Sequence, residues 1–147
     1  MIVRLARSSV VTLLVVGLVA VGGPSSAPES SSGPEISNFT IDPPFASSNG
    51  AARIRFEFRG AEGGLRAATL VAKPDRGTWR TSVLEEPVNQ AIAALGPVSD
   101  GIVEATGQHQ SGYTAQQRGT TNLYELRVTD RAGRKSNALR VELEVRP

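Results

Sequence analysis

The 147-residue chain suffices for one ordinary domain, and with 39% apolar residues and only seven aromatics its core must be built mainly of aliphatic side chains. With Arg4 and Arg7 set aside in the N-terminal leader, fourteen basic residues face fourteen acidic ones, a balance that excludes the cationic surface needed against nucleic-acid phosphate or anionic lipid. The lack of cysteine excludes disulfides, thiolate chemistry, Cys-ligated zinc and a lipid-modified Cys anchor.

The chain opens with the layout of a secretory signal peptide. Met1 to Arg7 carries two positive charges, Val10 to Val21 is almost continuously apolar, and Ala20, Gly22 and Gly23 are the small residues of a cleavage site. The apolar run is shorter than the roughly 20 residues that span a bilayer. Residues 1–23 are therefore expected to be a signal peptide or, if uncleaved, a signal anchor. Pro24 to Pro34 contains no large apolar residue and cannot offset the entropy of ordering. It is either a spacer or a plain flexible lead-in, which leaves residues 35–147 as the folded domain.

Phe39-Thr40-Ile41 reads as a first strand, ended at Asp42-Pro43-Pro44 because proline donates no N–H to a ladder. Ile36 has the opposite parity, so a bulge or a change of sheet is expected near it. Ser47 to Gly50 is a turn. Ile54, Phe56 and Phe58 then alternate with charged residues, the period of a strand with one wet face. Gly60 to Gly64 is a turn, Leu65 to Lys73 a strand, and Lys73 to Gly77 a turn set by Pro and Gly. Thr78 to Leu84 is expected to be a strand centred on Trp79. Glu85 to Pro97 fits a short helix, with Val88, Ile92 and Leu95 on one face and Pro87 near its start, or else another strand. Asp100-Gly101 turns into a short strand at Ile102 to Ala105. Thr106 to Thr121 is polar and long for a loop: a functional loop, a floppy one or a concealed edge strand. Tyr124, Leu126 and Val128 alternate in a strand, Asp130 to Arg134 turns, and Leu139, Val141, Leu143 and Val145 alternate in the last strand. The outward charges of these two strands are positioned to pair.

Short alternating strands separated by turns point to an all-β sandwich. The stretch Leu123 to Asn137 resembles the final hairpin of immunoglobulin-like and fibronectin type III-like domains. Tyr124 stands where that family has its corner tyrosine, and Leu126 where antibody domains have a Cys. Trp79 lies beyond the position of that family's core Trp. The resemblance implies a single antiparallel sandwich of about seven strands, of the bacterial-type secreted kind, used for binding or structure rather than chemistry.

Candidate chemistry is sparse. His109 is the only histidine; Ser111 is near it in sequence and Asp100 lies upstream, but no nucleophile-elbow motif accompanies them, so a solvated loop residue is expected. No metal site or cofactor is expected, since one His without Cys cannot make a zinc site and the carboxylates are scattered. Asn38-Phe39-Thr40 matches a glycosylation sequon. Arg131, Arg134 and Lys135 form a basic turn, which either contacts an acidic glycan or protein or simply keeps the hairpin soluble. Trp79 and Tyr113 are candidate sugar-stacking aromatics, although Trp79 is also the largest side chain available to the core. These features favour a non-enzymatic module that is secreted, periplasmic or on the cell surface, with an extracellular protein or a glycan as partner. A carbohydrate-binding accessory domain is the alternative and a hydrolase a remote one. Membrane contact is expected only through an uncleaved leader.

Overall fold

The alternating run at Ile54, Phe56 and Phe58 forms the central strand of a three-stranded sheet, with all three side chains buried. A computed structural model describes residues 33–147; the leader at 1–23 and residues 24–32 of the linker lie outside the described residues. In chain order the elements are β1 (Glu35–Asp42), β2 (Phe45–Ala46), β3 (Ala51–Arg59), β4 (Leu65–Pro74), β5 (Arg80–Thr81), α1 (Glu85–Leu95), β6 (Gly101–Gln108), β7 (Thr121–Asp130) and β8 (Leu139–Val145). One sheet has the order β1-β3-β6 and the other β2-β8-β7-β4-β5. Ile36, Ile41, Phe56 and Val103 of the first and Leu70, Leu126, Val128 and Leu143 of the second belong to one continuous buried cluster. The protein is thus mostly β, in two sheets that share one core.

In β1 the register against β3 slips between Ser37 and Thr40, where Asn38 takes a left-handed φ of 52°. That bulge lets Ile36 and Ile41 both reach the core despite their opposite parity, with Phe39 half-buried beside them. After Pro43 and Pro44 the chain leaves β3 and joins the far edge of the other sheet, where β2 runs parallel to β8. The second sheet is therefore mixed, and the described residues hold eight strands and one α-helix. This departs from the expected seven antiparallel strands because two of the eight, β2 and β5, are only two residues long and carry no alternation of their own.

The segment that fitted either helix or strand is helical. Glu85 and Glu86 lie in the first turn, where the helix dipole favours negative charge, and Gly96 ends it at φ 75°. Val88 and Ile92 are buried, and α1 packs against both β4 and β6, closing the gap between the sheets. Its polar side chains act as a substitute strand along β4. Asn89 accepts the Ala68 N–H at 2.8 Å and donates to the Ala68 carbonyl at 3.1 Å, while Glu85 accepts the Leu70 N–H at 2.9 Å. Edge groups of β4 that the short β5 cannot reach are satisfied in this way. Asn137 repeats the device on β1, accepting from and donating to the backbone of Ile36 at 2.8 and 3.0 Å.

Thr78 to Leu84 is not the strand expected. Only Arg80 and Thr81 pair with β4; Leu84, fully buried, already caps α1, and Trp79 stays 40% exposed. The hairpin of β7 and β8 follows the sequence closely, and Arg140 bridges to Glu125 across it at 2.7 Å.

Candidate functional site

The polar stretch from Thr106 to Thr121 divides into the end of β6, a tethered connection and the start of β7. The His109 N–H donates to Gly50, the Asn49 N–H to Gln110, and the Tyr113 N–H to the Ser48 hydroxyl at 2.9 Å. A 3-10 turn at Ala115–Gln117 is closed by reciprocal Thr114–Gln117 capping, and Gly119 and Thr120 bond to Val145. Anchored in this manner, the connection turns Tyr113 inward.

Tyr113 is therefore not an exposed stacking residue: it is 8% exposed. Its hydroxyl accepts a hydrogen bond from the buried Asn122 amide at 3.0 Å. The buried Tyr124 lies alongside, within hydrogen-bonding reach of both, and burial together with Tyr113 pushes its phenol well above the ordinary tyrosine range. These side chains form the floor of a cleft of about 90 Å³ at the open edge of the two sheets. Arg80, Thr81, Ser82 and Gln110 line its sides. Arg80 belongs there because it pairs with inward-facing Ala72, whereas Thr81 pairs with outward-facing Val71. A wider hollow of about 430 Å³, lined by Asp75, Arg76, Gln116, Gln117 and Thr120, shares Pro74 with the cleft.

His109 is buried at 3% exposure, against the expectation of a solvated loop residue. The Ser48–Gly50 turn and β7 enclose it, so it is held by its neighbours rather than by its own sequence. Its Nδ1 lies 3.5 Å from the Tyr124 hydroxyl, and its Nε2 has no hydrogen-bond partner among the described residues. Desolvation lowers its pKa below 6.5. Neither Ser111 nor Asp100 pairs with it: Asp100 instead accepts the Gly60 N–H at 2.9 Å.

This burial predicts a pH dependence. The unfolded chain takes a proton on His109 near pH 6.5, but the folded chain resists it. Stability is then greatest above about pH 6.5 and falls below it, by at most about 1.4 kcal/mol per pH unit. Urea midpoints at about pH 7.5 and about pH 5.5 are expected to differ for the wild type and to converge in His109→Gln. Equal shifts in both proteins would show that other groups carry the effect.

Trp79 stands on the outer face of the sheet, with the Arg140 guanidinium 5.7 Å from its ring centre. The basic turn lies elsewhere. β7 begins at the cleft and ends at this turn, and the eight residue steps from Asn122 to Asp130 span roughly 26 Å at about 3.3 Å each. Arg131 and Lys135 are exposed there. Arg134 is bound to Asp130 at 2.9 Å and to the Gly60 carbonyl at 3.1 Å, so the hairpin itself uses it. The five candidate residues thus fall at two ends of the domain: Trp79 and Tyr113 at one, and Arg131, Arg134 and Lys135 at the other.

Arg80, Gln110 and Asn122 were not singled out from the sequence. The inward parity of Asn122, two residues before Tyr124, was the available signal; Arg80 and Gln110 carried none. Among the described residues no group of three or more His, Cys, Asp or Glu side chains is positioned to hold a metal ion. No protein-family model matches this chain, and no curated protein matches it.

Proposed function

We propose that the protein is an exported, non-enzymatic immunoglobulin-like module that binds a glycan through the β4–β5 side of its sandwich. The strand order supports the fold assignment. With β1, β3 and β6 taken as strands A, B and E, and β8, β7, β4 and β5 as G, F, C and C′, the strand orders are compatible with the immunoglobulin arrangement, β2 adding a parallel edge strand to G. The α-helix stands where strand D would lie. On that assignment Tyr124 and Leu126 fall on strand F, and the tyrosine hydroxyl is turned toward His109.

The observation that carries the binding role is the exposed Trp79 beside a strand whose next residue, Arg80, opens into a cleft rich in hydrogen-bonding groups. Exposed aromatic surface and a few convergent polar groups are the usual chemistry of sugar recognition, and here they lie on the two sides of one edge strand. The leader at 1–23 supports export. His109 supports a non-enzymatic reading, because its neighbour is a phenol rather than a nucleophile or an orienting carboxylate.

Trp79 is the only tryptophan, which makes the test direct. Its emission is expected to be red-shifted and quenched by iodide, and to change when the right member of a panel of soluble neutral and charged glycans is added. Trp79→Ala should weaken that binding at least about five-fold without lowering the melting temperature, as expected for an exposed hot-spot aromatic. A panel that leaves the fluorescence unchanged, while an extracellular protein binds in a Trp79-dependent way, would replace the glycan by a protein partner.

A further inference from the structure

We infer that the cleft is a carboxylate subsite, so that the glycan recognised is an acidic one carrying uronic acid residues. This rests on the glycan-binding reading and adds the chemistry of the ligand. None of the cleft's lining residues is acidic, and Arg80 forms no ion pair among the described residues. Its guanidinium is thus available to an incoming anion, presenting two parallel N–H groups that match a carboxylate.

The floor has matching polarity. The Asn122 amide and the Tyr113 and Tyr124 hydroxyls form a hydrogen-bonded floor, in which the Tyr124 hydroxyl lies within reach of the Tyr113 O–H. Tyr113 and Asn122 are each more than nine-tenths buried, so they are held in place before a ligand arrives. Gln110 adds donors at the side. The size is selective too. A cavity of about 150 Å³ takes a benzene ring. The 90 Å³ here holds a carboxylate but not a whole sugar. The remaining sugar has the adjoining hollow, where Arg76, Gln116, Gln117 and Thr120 supply donors and Asp75 an acceptor for hydroxyls.

The test is calorimetric titration of the purified protein, in about 0.15 M salt, with trigalacturonate and with its methyl ester. The acid is expected to bind at least ten-fold more tightly than the ester. Arg80→Gln is expected to remove that preference, while Arg131→Gln, the same change of charge at the far end of β7, leaves it intact. Melting curves check that both variants fold. Equal binding of acid and ester that still weakens in Arg80→Gln would overturn the carboxylate subsite and leave the glycan module standing. Equal losses in the two arginine variants would reduce the effect to net charge and overturn it. Failure of both probes to bind would also overturn it. A short peptide with a free C-terminal carboxylate that binds more tightly than trigalacturonate would move the subsite to a protein ligand.

Discussion

Asp130→Ala is expected to destabilise the domain by about 3–5 kcal/mol, the usual cost of breaking a buried charged pair, and to lower its Tm by roughly 10–20 °C. Asp130 is fully buried where β7 turns toward β8. One carboxylate oxygen accepts the Arg134 N–H at 2.9 Å; the other accepts the Glu62 N–H at 3.1 Å and the Arg134 side chain at 2.9 Å. Alanine would strand two backbone donors and take from the half-buried Arg134 guanidinium its nearest carboxylate. The loss is a large share of the 5–15 kcal/mol that holds a typical domain.

Burial alone would raise the Asp130 pKa, but its bonds to Arg134 and to the Glu62 N–H outweigh that and hold it below 3.8. Its contribution is therefore present above the unfolded aspartate value and is lost as the pH falls through the lower folded one. Urea unfolding of the wild type and Asp130→Ala at neutral pH measures the effect. A loss under about 1 kcal/mol would mean that the hairpin is anchored without this carboxylate.

The second large effect is expected at Gly64, in the loop that Asp130 holds. Gly64 has φ +92°, and a Cβ there would stand 2.7 Å from the Pro97 Cα and 2.8 Å from the Gly96 carbonyl oxygen. Both neighbours are backbone, so no side chain can rotate away. Gly64→Ala combines the left-handed penalty of about 1–2 kcal/mol with overpacking of about 1–3 kcal/mol. Gly60 provides the comparison: its φ is +69°, but a Cβ there would meet nothing within 4 Å. Gly60→Ala is expected to cost only the first part. Equal losses at the two positions, measured by thermal melting, would show that the contact with Pro97 contributes nothing.

The two sites are coupled. The Gly64 carbonyl accepts the Arg131 N–H at 3.0 Å, one residue from Asp130, and the Ala61 N–H reaches Ser99 at 2.9 Å. Asp130→Ala and Gly64→Ala should therefore destabilise the double variant by less than the sum of their separate effects. This network occupies the end of the domain that carries the basic turn. There Arg134 works as a strut, which the sequence could not distinguish from an arginine awaiting a ligand.

The sequence by itself determined the strands whose two faces differ. Ile54, Phe56 and Phe58 in β3, and Tyr124, Leu126 and Val128 in β7, report their inner faces because alternation is a local property of an extended chain with one side in water. The turns at Ser47–Gly50 and Asp130–Arg134 were legible for the same reason, since Asn, Asp and Gly set backbone geometry within a few residues. Only the tertiary structure decided the rest. α1 won over a strand because a gap between β4 and β6 needed filling and Asn89 could complete the β4 edge. Trp79 lost the core to Leu84, and His109 and Tyr113 were drawn inside by Ser48, Gly50 and Asn122. The cleft joins Arg80, Gln110, Tyr113 and Asn122 from three separate segments. No local pattern encodes such a meeting, because it arises where short edge strands and connections converge and burial is set by what packs against them.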